Sequence, residues 1–363
     1  VAGTGAVLVD DPTRSASVFA DAIVEAIDGH GRLALLEAGY RNVRRFDWDT
    51  TAAGVVDLYE TAVVEASTVT AVINTADDTV LHGLSISPDL DTITYTLAGA
   101  TDDERGWGLA GETWNAMAAL GRYAEVRPAG SGAAPTWFNL GDTDLATHFY
   151  RTARLAEGAS LTEVTAEIAA AWDLGLRMLP VTDDRFRTLV TLGGDGDEAG
   201  SEVTFQDYFV RLRHGVPVTD VRFEHHDARP TDAVLAALHD ADVVVIAPSN
   251  PIVSIGPLRA LPGIDEALLA RRESVVAISP IVGGAALKGP ADRMLTELGV
   301  EPSVTGVAGL YAPVASALVV DTVDADHRDA VEAAGMRCVV TPTIMSEPGV
   351  GAELARTCLQ FAR

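Results

Sequence analysis

The chain predicts an α/β layered fold with a parallel sheet at its centre, on three observations. Strand-like and helix-like stretches alternate along most of its 363 residues, the pattern of a layered α/β protein. Apolar runs at residues 242–247, 273–278 and 337–340 are short and rich in valine, as strands covered on both faces are. The first two lead into loops of proline, serine and glycine, residues 248–256 and 279–284. An open α/β sheet receives its ligands there, beyond the carboxyl ends of its strands.

In chain order, residues 69–73 (VTAVI) form the first strand. Residues 98–230 are less regular, with a Gly/Ser-rich connector at 129–134 and a hairpin tip at 193–200. Within them Ser160-Leu-Thr-Glu163 is a capping box that starts a helix reaching Trp172. A helix over 231–239, capped by Thr231 or Asp232, leads into the strand at 242–247. A second helical stretch, 264–272, leads into the strand at 273–278, and 337–340 repeats the strand signature.

The densest chemistry follows the first strand. Residues 74–92, NTADDTVLHGLSISPDLDT, carry Asp77, Asp78, Asp89 and Asp91 with His82 in a turn-rich segment. Carboxylates gathered past the end of a buried strand suit a divalent cation or the polarisation of a hydroxyl. The interleaved Leu84, Ile86 and Pro88 argue against a merely solvated acidic loop. The loops at 248–256 and 279–284 are either ordinary tight turns or anion cradles; with the Asp77-Asp78 segment they are expected to share one crevice. His82 and His148 are expected to orient loops by hydrogen bonding. Trp107, Trp114 and Trp137 are expected to pack as core or wall. Asp183-Asp184-Arg185 reads equally as an ion-pair turn or a ligand contact.

Net charge is −26, from 52 acidic and 26 basic residues, which argues against nucleic acid and anionic membranes as partners. No apolar run is long enough to cross a bilayer and no basic, apolar leader is present, so a soluble cytoplasmic protein is expected. Lys288 is the only lysine, so a phosphorylated ligand would draw on arginines or a metal. Cys338 and Cys358 are too few for a metal cage or disulfide framework and read as buried thiols. Residue types alone indicate a metal-assisted phosphoryl transferase or a nucleotide binder.

A set of motifs goes further. NTADD, HGLSISPDLDT, ERGWG, GDTDLATH, VTDDR, FQDYFVR, APSNPIVSIGP and SPIVGGAALKG follow one another from about residue 68 onward. Together they resemble the transferase family that attaches a phosphorylated three-carbon acid to the deazaflavin Fo in coenzyme F-420 biosynthesis: 2-phospho-L-lactate transferase and its enolpyruvyl-transferring relatives. The resemblance implies a Rossmann-like core with a helical insertion, Mg2+, a guanosine-diphosphate-activated lactate or enolpyruvate donor, Fo as acceptor, release of GMP, and a homodimer. Carried over by position, it implies that Asp77, Asp78 and Asp91 surround the metal, with Asp78 and Asp91 catalytic. It implies ligand contacts for Asn74, Asp91, Thr143, Ser249, Asn250, Ser254 and Lys288, with Lys288 and Arg185 offsetting diphosphate charge.

Two departures stand out. The family's opening strand and GGxGG-type loop have no counterpart here beyond Gly3-Thr4-Gly5. Residues 1–66 instead resemble the closing stretch of a retaining, two-Rossmann-domain glycosyltransferase, without its catalytic acids. The chain is thus expected to divide into an atypical segment, 1–66, and a transferase-like Rossmann domain, 67–363, with its insertion at roughly 98–230. In addition, Thr143 stands where the family's GDRDLATH has arginine; the lost charge is expected to weaken acceptor binding or pass the role to Arg151 or Arg154. Two other readings stay open: a non-catalytic nucleotide-sugar-binding regulator of the same superfamily, and an inactive member lacking its first strand and glycine loop.

Overall fold

A computed structural model describes residues 68–363, apart from 103, 104, 106, 288, 347 and 363. The segment 1–66 and Lys288 therefore lie outside the described residues. Strand β1 (Thr70–Ile73) is followed by a hairpin, β2 (Thr79–Leu81) and β3 (Leu84–Ile86). Its two-residue turn is His82-Gly83, both with positive φ, the twist that matches right-handed strands. Helices α1 (Pro88–Leu97), α2 (Asn115–Val126), α3 (Asp144–Ala156) and α4 (Leu161–Ala171) come next. Ser160 and Glu163 cap α4 reciprocally, as the sequence pattern requires.

The chain then returns as β4 (Arg177–Pro180), which pairs with β1 in parallel. Strands β5 (Arg187–Leu192), β6 (Glu202–Thr204) and β7 (Val218–Glu224) form an antiparallel sheet in the order β6-β5-β7. A single π-helical turn, Asp207–Arg211, lies between β6 and β7. Helix α5 (Asp232–Asp240), capped by the Thr231 side chain, leads to β8 (Val244–Ile246). Short helices α6 (Gly256–Ala260) and α7 (Ile264–Ala270) precede β9 (Val275–Ile278). After a small hairpin, β10 (Ile281–Val282) and β11 (Ala285–Ala286), come α8 (Ala291–Glu297), α9 (Val304–Tyr311), β12 (Ala317–Val320), α10 (Arg328–Ala333), β13 (Arg337–Val340) and α11 (Val350–Leu359).

The central sheet is parallel, in the order β13-β12-β9-β8, so the α/β expectation holds. Every residue of β12 is inaccessible to solvent, and each such Val or Leu contributes about 1.5–3 kcal/mol. Among the described residues β1–β4 forms a separate parallel pair. The two sheets share one core: Ala76, Leu179 and Val181, at the ends of β1 and β4, pack in the same cluster as Ile246, Ala277 and Leu318.

The middle region is less helical than expected. Its helices end at Ala171, β4 rejoins the core, and residues 187–224 build the antiparallel sheet. Strand β5 is buried at Thr188, Leu189, Val190 and Leu192, so it lacks the polar alternation that marks a half-exposed strand. Among the described residues no helix is long and apolar enough to cross a membrane.

Candidate functional site

The site starts where β1 runs out. Asn74 folds its side chain back so that Oδ1 accepts the Ala76 N–H at 3.0 Å, an Asx turn that ends the strand. Its amide donates to Asp77 Oδ2 at 3.1 Å and to Asp89 Oδ2 at 3.0 Å. One side chain thus ties the turn after β1 to the first turn of α1. Ser87, just before α1, donates to Asp78 Oδ2 at 2.6 Å.

These bonds leave the cluster incompletely satisfied. Asp77 Oδ1, Asp78 Oδ1 and the Thr75 hydroxyl are buried without a hydrogen-bond partner; the Thr188 hydroxyl lies against Asp77 without hydrogen-bond geometry. Burial, then the neighbouring Asp89 and Asp78 charges, pushes the Asp77 carboxyl well above the usual range. Burial does the same to Asp78, against the Ser87 hydrogen bond and the Arg151 charge, and it raises Asp89. Buried anions with free lone pairs are costly without a counter-charge. A divalent cation with oxygen ligands fits this donor set. Among the described residues no group of three or more His, Cys, Asp or Glu side chains is already gathered around a metal position.

Asp91 is held differently. Arg151, on α3 and only 1% exposed, grips it with both terminal nitrogens, Nη1 donating to Oδ2 at 3.1 Å and Nη2 to Oδ1. His148 Nδ1 lies 3.7 Å from Asp91 Oδ2, and its Nε2 is 2.9 Å from Asp144 Oδ2. The Tyr95 hydroxyl donates to Asp144 Oδ1 at 2.6 Å. Burial opposes ionisation of Asp144, but the His148 hydrogen bond and charge outweigh it and leave that carboxyl below its ordinary value. The GDTDLATH helix and the PDLDT helix are thereby joined by polar side chains.

Thr143 caps neither helix with its side chain. It stands exposed at the start of α3, where its N–H and that of Asp144 donate to the Glu112 carboxylate at 2.9 and 2.7 Å. Neither proposed substitute cation is free. Arg151 is committed to Asp91, and Arg154 is bound to Glu167 and Glu157. Arg185 is exposed and has no partner among the described residues.

The loop after β8 is braced largely by its own Asn250, whose amide also donates to Met294 Sδ at 3.7 Å. Asn250 Oδ1 accepts the N–H groups of Ile252 at 2.9 Å and Val253 at 3.4 Å, and Ser254 N donates to Asn250 O at 3.0 Å. The Ser249 and Ser254 hydroxyls have no partner among the described residues. Val253 packs with Val190 and Tyr208, and Gln206, just before the π-helical turn, donates to the Asp77 carbonyl at 3.4 Å. The FQDYFVR segment therefore bridges the serine loop and the acidic turn. In the loop at 279–284, Ser279 Oγ closes on Ile281, and the Gly283 N–H donates to both oxygens of buried Asp324 at 3.2 and 2.9 Å. That donor is not free for an anion, which favours the tight-turn reading of this loop over the anion cradle.

Sequence reasoning underrated Asp89, Arg151 and Gln206. Asp89 and Gln206 lie inside quoted motifs, NTADD…PDLDT and FQDYFVR, and the sequence reading offers Arg151 to the acceptor rather than to Asp91. The contacts that give Arg151 and Gln206 their roles are long-range and leave no local mark. Other expectations are corrected. His82 Nε2 is buried without a partner. The Arg105 guanidinium lies 5.7 Å from the Trp107 ring and 5.0 Å from Trp114, and Trp107 is 46% exposed, so of the core and wall readings only the wall remains for Trp107. Trp137, half-buried, packs edge-on against Phe138 at the side of a core cluster, a wall position as expected. Asp183 caps α4 through Thr162 and Asp184 accepts the Arg229 N–H, so neither pairs with Arg185.

Comparison with known proteins gives the family of the chain. The family model described as 2-phospho-L-lactate transferase CofD matches residues 52–344, which takes in part of the segment that resembles a glycosyltransferase. A phosphoenolpyruvate transferase of Kitasatospora aureofaciens is 43% identical over 304 residues, 83% of this chain and 91% of that protein. The protein of the same name from Mycobacterium tuberculosis is 40% identical over 294 residues, covering 80% and 86%. Among solved structures, a UPF0052-family protein from Bacillus halodurans superposes with a TM-score of 0.50 at 15% identity, covering 84% of this chain and 95% of that one; that likeness concerns the fold alone.

Proposed function

The chain belongs to the 2-phospho-L-lactate transferase family CofD, and from that premise we propose that it joins a guanosine-diphosphate-activated donor to the deazaflavin Fo in the cytoplasm, releasing GMP, in coenzyme F-420 biosynthesis. It is an enzyme, a transferase of phospho-lactate or phospho-enolpyruvate groups. The observation that carries the finer reading is the pair of unpartnered carboxylate oxygens on Asp77 and Asp78, beside an Asp91 clamped by Arg151.

In this reading a hydroxyl of Fo attacks the phosphorus that bears the three-carbon acid, and GMP leaves. Charge spreads over the phosphoryl oxygens, so positioning and cationic stabilisation dominate. Asp77 and Asp78 would hold Mg2+, with Asp91 adjoining; the ion would polarise the phosphoryl oxygens and offset the donor's charge. Asp91, fixed by Arg151, orients the attacking hydroxyl. Asn74 keeps Asp77 and Asp89 in register. Ser249 and Ser254 offer free hydroxyls to the donor, and exposed Arg185 offers a cation; Lys288, outside the described residues, and Thr143, at the α3 terminus, are assigned to the same ligands. A homodimer is part of the proposal.

The test is conversion of Fo by the purified chain with Mg2+ and each guanosine-activated donor, followed by chromatography of the acidic product. Turnover that Asp91→Ala abolishes supports the reading. A cooperatively melting protein with no turnover from either donor would refute it.

A further inference from the structure

We propose that Arg151 is a positioning residue for the transfer: it fixes the Asp91 carboxylate for the acceptor hydroxyl and touches no substrate itself. The inference rests on the reading that Asp91 orients that hydroxyl.

Four observations carry it. Arg151 is 1% exposed, and both terminal nitrogens are spent on Asp91. A planar fork on a carboxylate sets its orientation as well as its charge. The grip is anchored from other sides too. Nη1 lies 3.4 Å from the Ser85 carbonyl and 3.4 Å from His148 Nδ1, while the next residue, Thr152, receives the Ser85 N–H at 2.8 Å. One turn of α3 thus locks β3 and the start of α1 together, the two elements that flank Ser87 and its bond to Asp78.

Arg151 is also a cation that acts on the cluster: its charge bears on both Asp78 and Asp91. A pair whose only task were stability would be a weak device, because desolvation offsets most of its Coulomb gain. Finally, its Nε is buried without a partner. The side chain is therefore placed for Asp91 rather than for its own full satisfaction.

The mode of action has a distinctive signature. If Arg151 works through Asp91, removing it after Asp91 has been altered should cost nothing more. If it also holds down the negative charge of the cluster, removing it should tighten cation binding, whereas loss of structure would weaken it.

The experiment compares Arg151→Gln, Arg151→Lys, Asp91→Asn and the Asp91→Asn/Arg151→Gln double variant, using Mg2+ alone, the enolpyruvyl donor and Fo. We expect Arg151→Gln to lower kcat about 100-fold while the donor KM stays within about threefold. Arg151→Lys should recover part of the loss, since it restores charge but not the fork. The double variant should be no slower than Asp91→Asn. By calorimetry without substrates, Arg151→Gln should bind Mg2+ about tenfold more tightly than the parent. Additive losses in the double variant, an unchanged kcat in Arg151→Gln, or weaker Mg2+ binding would each overturn the proposal. Should the parent turn over neither donor, the proposed reaction fails, and the Mg2+ titration alone decides whether Arg151 governs the charge of the cluster.

Discussion

Two acidic regions of this molecule, some twenty residues apart in sequence at their nearest, show opposite behaviour from the same side-chain chemistry. At the starts of α2 and α3 each carboxylate meets donors. Asp142, ahead of α3, accepts the N–H groups of Asn115 and Ala116 at the start of α2, both at 2.9 Å. Glu112, ahead of α2, accepts those of Thr143 and Asp144 at the start of α3. The two helices cap each other. The Thr113 hydroxyl and then those backbone donors pull the Asp142 carboxyl down to about 2. In the turn after β1, by contrast, Asp77 and Asp78 are buried with idle oxygens and are pushed up. Satisfied carboxylates hold the fold together; unsatisfied ones mark where something else is meant to bind.

The sharpest break of this contrast is Asp78→Asn. Turnover should fall by about 100-fold or more, since an amide supplies neither charge nor two oxygen ligands. The same change removes a buried like charge, so the substrate-free protein should melt higher. Loss of activity together with a lower melting temperature would place Asp78 among the structural carboxylates instead.

Next in size is a crossing effect on stability. Glu112→Ala removes both bonds at the start of α3 and should cost about 1–2 kcal/mol by chemical denaturation. Gly141→Ala tests the same cap from the other side. A Cβ there would collide with the Glu112 carboxylate, so it should expel the cap and cost nearly as much. If Gly141→Ala is neutral, Glu112 has another way to reach α3.

The pH responses of the two regions should have opposite signs. Asp142 has a folded pKa below its unfolded value of about 4. Its stabilisation is therefore present above that value and disappears as pH falls toward about 2; Asp142→Asn should flatten that acid limb. Asp77, Asp78 and Asp89 have raised folded pKa values, so they destabilise the metal-free fold as pH rises out of the carboxylate range. The metal-free protein should thus melt higher in mild acid than at pH 7, and saturating Mg2+ should reduce that difference. A melting temperature independent of both pH and Mg2+ would contradict the reading of the turn.

Much of this was legible in the chain. Ser160 and Glu163 announced α4, and Thr231 announced α5, because caps are local bonds between residues a few positions apart. The acidic turn was legible because its residues are contiguous. Strand β12 was not read, being a short apolar run among helical neighbours, although it is the most buried strand of the central sheet. Gln206 lies in the FQDYFVR motif, but its contact was not legible: its partner lies 129 positions away, and no local pattern records that distance.

By itself the sequence determined the fold class, the family and the identity of the acidic turn, since periodicity, capping and motif are written in neighbouring residues. The tertiary structure alone decided which carboxylates stand satisfied and which stand idle. Asp91 and Asp77 are the same residue type in one acidic segment, yet one faces an arginine 60 residues away and the other has an oxygen that meets no donor among the described residues. That outcome depends on which donors the packing of α3 against β3 and α1 brings within about 3 Å, and on burial from water, which makes each missing donor costly.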